Sequence, residues 1–329
     1  MHRSRVAPTL ILLAIVAGLC LSAAPQVAAA ADAPWPQRTV RLILPLGAGS
    51  GSDIGARLFA ERLTTRWGQP VVIENRPGGD GFVAITAFLS AHDDHTLLFA
   101  PTSTFTAHPI LHQKLPYDPR DLVPIARVTN TLISLAVPSV IKVGSLKELI
   151  DLAHTDPGRL NRASVTGAVD IVLSGFLKSS DVEIAKVPYR DPVQAVTDLA
   201  QNRIQIYTSA FAIVQSQLQA GTIKALAMTN RTRAPTAPDI PTAAEAGYPA
   251  LTFDGLVGLF GPPGMAPSLR ERIAADIRAV AAEPGIEPRL LATGQILNPG
   301  TPAEFAAAIA EQTGKLVTVA RALDLKPED

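Results

Sequence analysis

The alternation of apolar and polar positions along the chain predicts strands that are followed by helices. Residues 40–45 form a short apolar run typical of a buried strand, and residues 53–67 then repeat apolar side chains at helical spacing. The pattern predicts further strands over 70–74, 96–100, 183–189, 204–208 and 224–229, further helices over 81–91, 145–155 and 192–202, and a mainly helical C-terminal part. Such alternation favours an α/β fold with mostly parallel sheets.

The N-terminus is typical of a secretory signal peptide over residues 1–31. Arg3 and Arg5 precede an apolar run over 10–21, and four alanines follow at 28–31. The apolar core is about a dozen residues, which is shorter than the roughly 20 needed to span a bilayer. Cys20 follows Leu19, whereas a lipidation signal requires a small residue there. We therefore expect export to the periplasm, with cleavage after Ala30 or Ala31.

Cleavage at that point removes Cys20, the one cysteine, so the mature chain has no disulfide and no thiol chemistry. It also removes two basic residues, which leaves 27 against 29 acidic ones. A net charge of about −2 argues against nucleic acid or an anionic membrane as a partner. The remaining length of about 300 residues exceeds that of most single-core domains, so two lobes are expected.

The loop after the first predicted strand is rich in glycine and serine and leads directly into a helix. Such a loop lets backbone N–H groups approach a ligand, and a helix N-terminus adds a partial positive charge, so the pattern predicts an anion site without side-chain charge. The alternative is a flexible turn in which Ser52 or Asp53 caps the helix. A P-loop would need Lys followed by Ser or Thr, and a dinucleotide-binding loop would need glycine at position 52. The loop comprises Leu46, Gly47, Ala48, Gly49, Ser50, Gly51, Ser52 and Asp53.

Other chemistry is sparse in the sequence. The string HDDH at 92–95 could suggest a metal, but its place between a helix and a strand favours a solvated polar loop. His108 and His112 have helical spacing without a matching glutamate, which favours surface or packing roles. A Gly-x-Ser-x-Gly elbow is missing. We therefore expect no catalytic residues, no metal and no cofactor.

Several colinear strings resemble the Bug-type extracytoplasmic solute receptors of tripartite tricarboxylate transporters, a TctC-like family. The similarity runs from about residue 35 to the C-terminus. It is carried by WP at 35–36, VRLI at 40–43, the glycine-rich loop, GQPVVIENRPGG at 68–79, KLPYDP at 114–119, VPYR at 187–190 and AAEAGYP at 243–249.

This resemblance implies a type II periplasmic-binding-protein fold, with two α/β lobes and a ligand cleft between them. The expected lobes are 32–129 plus 255–329 and 130–254. In the family the first loop and a matching loop of the second lobe hold the ligand, which here implies the first loop together with Ala163, Ser164, Thr166, Gly167 and Ala168. Tyr189 lies in the similar string at 187–190. Hydroxyl-rich segments at other strand ends add Thr102, Ser103 and Ser209.

The resemblance also implies capture of a small carboxylated metabolite by a monomer and its transient delivery to a membrane transporter. A ligand sensor for a signalling system is one alternative, and a secreted enzyme using Asp53, Asp170 or His95 is another. The identity of the ligand stays open, because this chain departs from the family pattern at 169–172, at 191–192 and near Tyr207. Asp53 could receive a polar group of the ligand or only support its helix.

Overall fold

Two β-sheet regions organise the chain. The computed structural model describes residues 35–164, 167–189 and 191–327, with Ser164 described by its backbone alone. The predicted signal peptide and the predicted site residue Thr166 lie outside these residues. Both sheet regions belong to one compact unit that begins at Pro36.

The larger sheet has six strands in the order β11-β4-β10-β3-β1-β2. The strand β1 pairs in parallel with β2 and β3, and β10 is inserted antiparallel between β3 and β4. The strand β1 is fully buried at four of its five positions, as expected for a strand covered on both faces. The strands are β1 (Val40–Leu44), β2 (Val71–Asn75), β3 (Thr96–Pro101), β4 (Val123–Thr131), β10 (Gly255–Gly261) and β11 (Gln295–Leu297).

The smaller sheet region is built around β5. This strand lies between β8 and β9 and is antiparallel to both, while β6 and β7 form a parallel pair that a bridge from Arg162 to Ile206 links to the segment before β8. The strands are β5 (Ile133–Pro138), β6 (Asn161–Ser164), β7 (Ala185–Pro188), β8 (Tyr207–Ala210) and β9 (Ile223–Met228).

Helices cover the faces of both sheet regions. Their amphipathic faces supply the cores: α6 buries Ile171, Val172 and Phe176, and α11 buries Phe305 and Leu316. The helices are α1 (Gly51–Trp67), α2 (Phe82–Leu89), α3 (Ser103–Thr106), α4 (His108–Leu111), α5 (Leu146–Thr155), α6 (Ala168–Ser179), α7 (Pro192–Ala200), α8 (Phe211–Gln219), α9 (Pro267–Ala281), α10 (Ile286–Leu291) and α11 (Pro302–Ala322). Within the described part of the chain, none has the length and hydropathy of a bilayer-spanning segment.

The expectation of mostly parallel sheets is wrong. Five of the eight described strand pairings are antiparallel. The strand β10 returns from a distant part of the chain, and β5 lies between two strands that both run opposite to it. The sequence pattern did not predict β4, β5, β6, β10 or β11, and it placed the start of β8 three residues too early. Ala168, which was expected in the second-lobe loop, begins α6 instead.

The chain passes from the larger to the smaller sheet through Leu132 alone, since β4 ends at Thr131 and β5 begins at Ile133. It returns through residues 229–254, which lead into β10. The fold is thus α/β with two lobes, one around each sheet region. The lobe boundaries inferred from the sequence stay predictions.

Candidate ligand site

A cleft of about 400 Å³ opens where the loops of the two sheet regions meet. Its larger-sheet wall comes from the loops after β1 and β3, the ends of β4 and β10, and the segment before β11. Its smaller-sheet wall comes from β5, the start of α6 and the β8–α8 junction. The lining residues are Leu46, Gly49, Ser50, Gly51, Ser52, Pro101, Ser103, Thr131, Ile133, Val169, Ala210, Ala212, Ile213, Gly255, Thr293 and Gln295.

Three helices of nine or more residues direct their N-termini at this cleft. Gly51 and Ser52 belong to the first turn of α1, Val169 to that of α6, and Ala212 and Ile213 to that of α8. The first turn of a helix has N–H groups without intrahelical partners and carries about half a positive charge. None of the described residues that line the cleft has a charged side chain. The cleft can therefore attract an anion through backbone dipoles, without a lysine or arginine.

The first loop is held in place by hydrogen bonds that its own side chains accept. Ser50 caps α1, and its Oγ accepts from the Asp53 N–H at 3.2 Å. The Asp53 carboxylate accepts from the Gly49 N–H at 2.9 Å, from Arg57 at 3.0 Å and from Asn75 at 2.8 Å. The N-cap is thus Ser50, rather than Ser52 or Asp53.

Asp53 is buried behind the loop, and its side chain is only 2% exposed. Burial by itself raises the pKa of Asp53, but the hydrogen bonds from Arg57, Gly49 and Asn75 outweigh burial and hold the pKa below its usual value. Because its described hydrogen bonds are with neighbouring protein groups, Asp53 supports the loop rather than lining the cleft.

The two walls of the cleft differ in polarity. The larger-sheet wall offers hydroxyl or amide groups from Ser50, Ser52, Ser103, Thr131, Thr293 and Gln295. Among the described residues, those that line the smaller-sheet wall have apolar side chains: Ile133, Val169, Ala210, Ala212 and Ile213. This arrangement suits a ligand with a polar end and a hydrocarbon part.

Six of the sequence-predicted site residues line the cleft: Leu46, Gly49, Ser50, Gly51, Ser52 and Ser103. Gly47 and Ala48 are exposed in the same loop. Gly167 lies near the cleft, because a Cβ built on it would be 3.9 Å from the Ser103 carbonyl oxygen. Ala163, in β6, and Ala168, at the start of α6, are buried.

Three further candidates lie away from the lining. Thr102 is fully buried, and its hydroxyl donates to Gln312 at 2.5 Å. Tyr189 donates to Asp198 at 2.8 Å. Ser209 precedes the lining residue Ala210 on β8, so its side chain points to the opposite face, where its Oγ is buried without a described hydrogen-bond partner.

The unusual segment at 169–172 contributes an apolar side chain to the cleft. Val169 lines the cleft, whereas Asp170 forms ion pairs with the buried Arg162 and, at 3.0 Å, with Lys186. The second-lobe carboxylate is therefore neutralised within its own lobe.

Sequence reasoning missed Thr131, Ile133, Ile213, Thr293 and Gln295. Gln295 is 2% exposed and accepts from Thr129 at 2.9 Å, which fixes its amide at the base of the cleft. These residues come from β4, β5, α8 and the β11 segment, which meet only after long-range pairing. No local motif marks them.

His95 and His108 have structural roles. His95 accepts from the Gln37 N–H at 3.1 Å, and its neighbour Asp93 accepts from two backbone N–H groups. His108 is fully buried against Tyr117, with their polar atoms 2.8 Å apart, and burial lowers the pKa of His108. The described residues contain no cluster of three or more side chains suited to a metal.

Comparison with known proteins agrees with this geometry. A structure described as a periplasmic transporter matches this chain with a TM-score of 0.77 at 28% identity. The match covers 89% of this chain and 99% of the matched chain. The periplasmic binding protein BugD, at 23% identity and a TM-score of 0.75, shows the same fold over 89% of this chain and 100% of its own. The α/β fold with its cleft is therefore that of periplasmic binding proteins.

The sequence matches place this chain in a family. A family model described as "Tripartite tricarboxylate transporter family receptor" matches residues 55–325. A UPF0065 protein of Bordetella bronchiseptica is 27% identical over 304 residues, which cover 92% of this chain and 90% of its own. BugT of Bordetella pertussis is 29% identical over 263 residues, 78% of this chain and 80% of its own. The chain belongs to the tripartite tricarboxylate transporter receptor family.

Proposed function

We propose that the protein is exported to the periplasm, captures a small carboxylate in the cleft and delivers it to a tripartite membrane transporter. The observation that carries this proposal is the convergence of the N-termini of α1, α6 and α8 on a cleft whose described lining has no charged side chain. Such a site favours a compact anion, because the N–H groups donate to it without a competing counter-ion.

Two structural relatives support a carboxylate. MatC from Rhodopseudomonas palustris, with bound malate, has a TM-score of 0.74 at 25% identity and covers 87% of this chain and 100% of its own. An R. palustris protein with adipate has a TM-score of 0.78 at 26% identity and covers 89% of this chain and 100% of its own. Malate and adipate are both dicarboxylates of a size that a cleft of about 400 Å³ accommodates.

The proposed mechanism is a closure of the two lobes around the ligand. The carboxylate first contacts the N–H groups of Gly51 and Ser52 in the first turn of α1, and its hydrocarbon part faces Ile133, Val169 and Ile213. Contacts with the smaller-sheet wall then favour the closed form, since a ligand shifts a conformational equilibrium only through differential contacts with the two states. The closed form is the species that the transporter recognises.

A thermal-shift panel tests the carboxylate assignment. Malate, adipate, citrate, benzoate and glutamate are compared at 1 mM, and any hit is followed by titration. A ligand at about 100 times its Kd stabilises the fold by about 2.7 kcal/mol, which corresponds to about 5 °C for a chain of this size.

The matched control is the diamide of the best dicarboxylate, which keeps the carbon skeleton and removes the charge. We expect the diamide to give no shift. An equal shift from acid and diamide, or no shift from any acid, would contradict the carboxylate assignment. Capture of the liganded protein by membranes that contain the transporter subunits, and not by membranes lacking them, tests delivery.

A further inference from the structure

A second cavity of about 520 Å³ lies on the other face of the strands that form the floor of the cleft. In the antiparallel pair of β4 and β10, Thr131 is opposite Gly255, and Asn130 is opposite Leu256. The first pair lines the cleft, and the second lines this back cavity. Successive strand residues point to opposite faces, so one layer of backbone separates the two cavities.

The back cavity has an excess of basic side chains. Arg127, Arg231 and Lys315 line it together with only two acids, Asp254 and Glu311. Arg231 engages both acids: its Nε is 3.1 Å from Asp254, and its terminal nitrogen contacts Glu311. Asp254 also lies near Arg127 and Lys315, with Glu304 near Arg127 and Glu311 near Lys315, but the described ion pairs of Asp254 and Glu311 are with Arg231.

Arg127 and Lys315 have only carbonyl partners among the described hydrogen bonds. The Arg127 Nε donates to the Asn298 carbonyl at 2.8 Å, and the Lys315 Nζ donates to the Thr252 carbonyl. Neither forms an ion pair within 4.0 Å in the described part of the chain. Both side chains are half-buried, and this burial lowers the pKa of each group. Each cation keeps further N–H donors for an anion.

Asn130 adds an unused acceptor to the same cavity. Its Oδ1 is buried and has no hydrogen-bond partner among the described residues. A buried acceptor without a donor destabilises the fold until a partner arrives. A hydroxyl group on a ligand would supply that donor.

We propose that the back cavity is a second binding site for a small organic oxyanion that carries a hydroxyl group. Arg127 and Lys315 hold the oxyanion through charge-assisted hydrogen bonds, and Asn130 accepts from the hydroxyl. The site is separate from the carboxylate cleft, so it does not depend on the proposed function.

Nuclear magnetic resonance of ¹⁵N-labelled protein tests the site, with glycerate and glycerol 3-phosphate as probes. These molecules share the hydroxyl and differ in the oxyanion, so their relative affinities show whether carboxylate or phosphate is preferred. We expect at least one probe to shift the side-chain amide signal of Asn130 in a saturable manner. Calorimetry with the same probe then gives the affinity of each variant.

Arg127→Gln and Lys315→Gln should each weaken binding about tenfold or more, because each removes a charge-assisted hydrogen bond. Lys142→Gln is the matched control, since Lys142 is exposed elsewhere and its loss changes the net charge equally. Asn130→Asp places a negative charge at the cavity, which should weaken binding of an anion. The substitution removes no described contact of Oδ1, because Oδ1 of Asn130 has no described hydrogen-bond partner.

Two outcomes would overturn the proposal. One is the absence of a saturable Asn130 shift with both probes. The other is equal affinity in folded Lys315→Gln, Asn130→Asp and Lys142→Gln proteins, with folding checked by circular dichroism and the thermal transition.

Discussion

At the residue scale, Gly49 shows how the first loop presents its backbone to the cleft. Its φ is +85°, a left-handed conformation that L side chains rarely adopt, and a Cβ built on it meets no atom within 4 Å. Gly49 also lines the cleft. Any side chain at this position therefore projects into open space where the ligand is expected.

Gly49→Leu is expected to weaken ligand binding by about 100-fold or more, because the side chain fills the cleft and blocks backbone approach. Gly158→Leu is the matched control. Its φ of +82° and its empty surroundings impose the same backbone strain at an exposed turn outside the cleft. Both variants should lose about 1–2 kcal/mol of stability. Calorimetry measures affinity, and unchanged affinity in Gly49→Leu would remove the first loop from the site.

Local chemistry made much of this loop predictable. Glycine and serine at 47–52 favour close backbone approach, and Ser50, Gly51 and Ser52 do line the cleft. The role of Asp53 was left open by the sequence, because a carboxylate near a helix start can support the loop or face a ligand. Which of the two roles Asp53 takes depends on Asn75, which lies 22 residues away at the end of β2 and donates a hydrogen bond to the Asp53 carboxylate.

At the element scale, the first loop and α1 form one unit that Asp53 holds together. The carboxylate joins Gly49 in the loop, Arg57 one turn along α1 and Asn75 at the end of β2. The geometry of the helix N-terminus at the cleft thus depends on one buried ionised group.

Asp53→Asn is expected to destabilise the protein at pH 7 by about 1–3 kcal/mol, because hydrogen bonds to a charged group are weakened. The folded pKa of Asp53 lies below its unfolded value, so this stabilisation is present above the unfolded pKa of about 3.9 and is lost as the pH falls through the folded pKa. The difference between wild type and variant should therefore shrink below about pH 4.

Urea titrations at pH 7 and pH 3.5 measure this difference without ligand. Asp239→Asn, at an exposed position, controls for the change in net charge and should match the wild type within about 0.5 kcal/mol. A difference at pH 7 no larger than that of Asp239→Asn would refute the supporting role of Asp53.

At the scale of the whole molecule, the cleft exists because two sheet regions share a narrow connection. Leu132 alone separates β4 from β5, and β10 returns beside β4. The cleft walls lie on opposite sides of this connection, so a small rotation there changes the distance between them. Ligand contacts with both walls should favour closure.

Small-angle X-ray scattering measures this closure. The radius of gyration of a compact chain of this size is about 19 Å, and a saturating ligand is expected to lower it. Gly49→Leu, with the same ligand concentration, is the control and should show no decrease. Binding by calorimetry with an unchanged radius of gyration would argue against closure.

The sequence by itself determined the α/β class, the glycine-rich loop and the family, because these depend on local periodicity, local backbone freedom and colinear strings. Tertiary structure alone decided the antiparallel pairing of β10, the burial of Asp53 behind the loop, and the apolar wall formed by Ile133, Val169 and Ile213. The physical reason is that these features arise where distant segments pack together. Residues such as Thr131 and Gln295 are 164 positions apart, and only the folded sheet brings them into contact at the cleft.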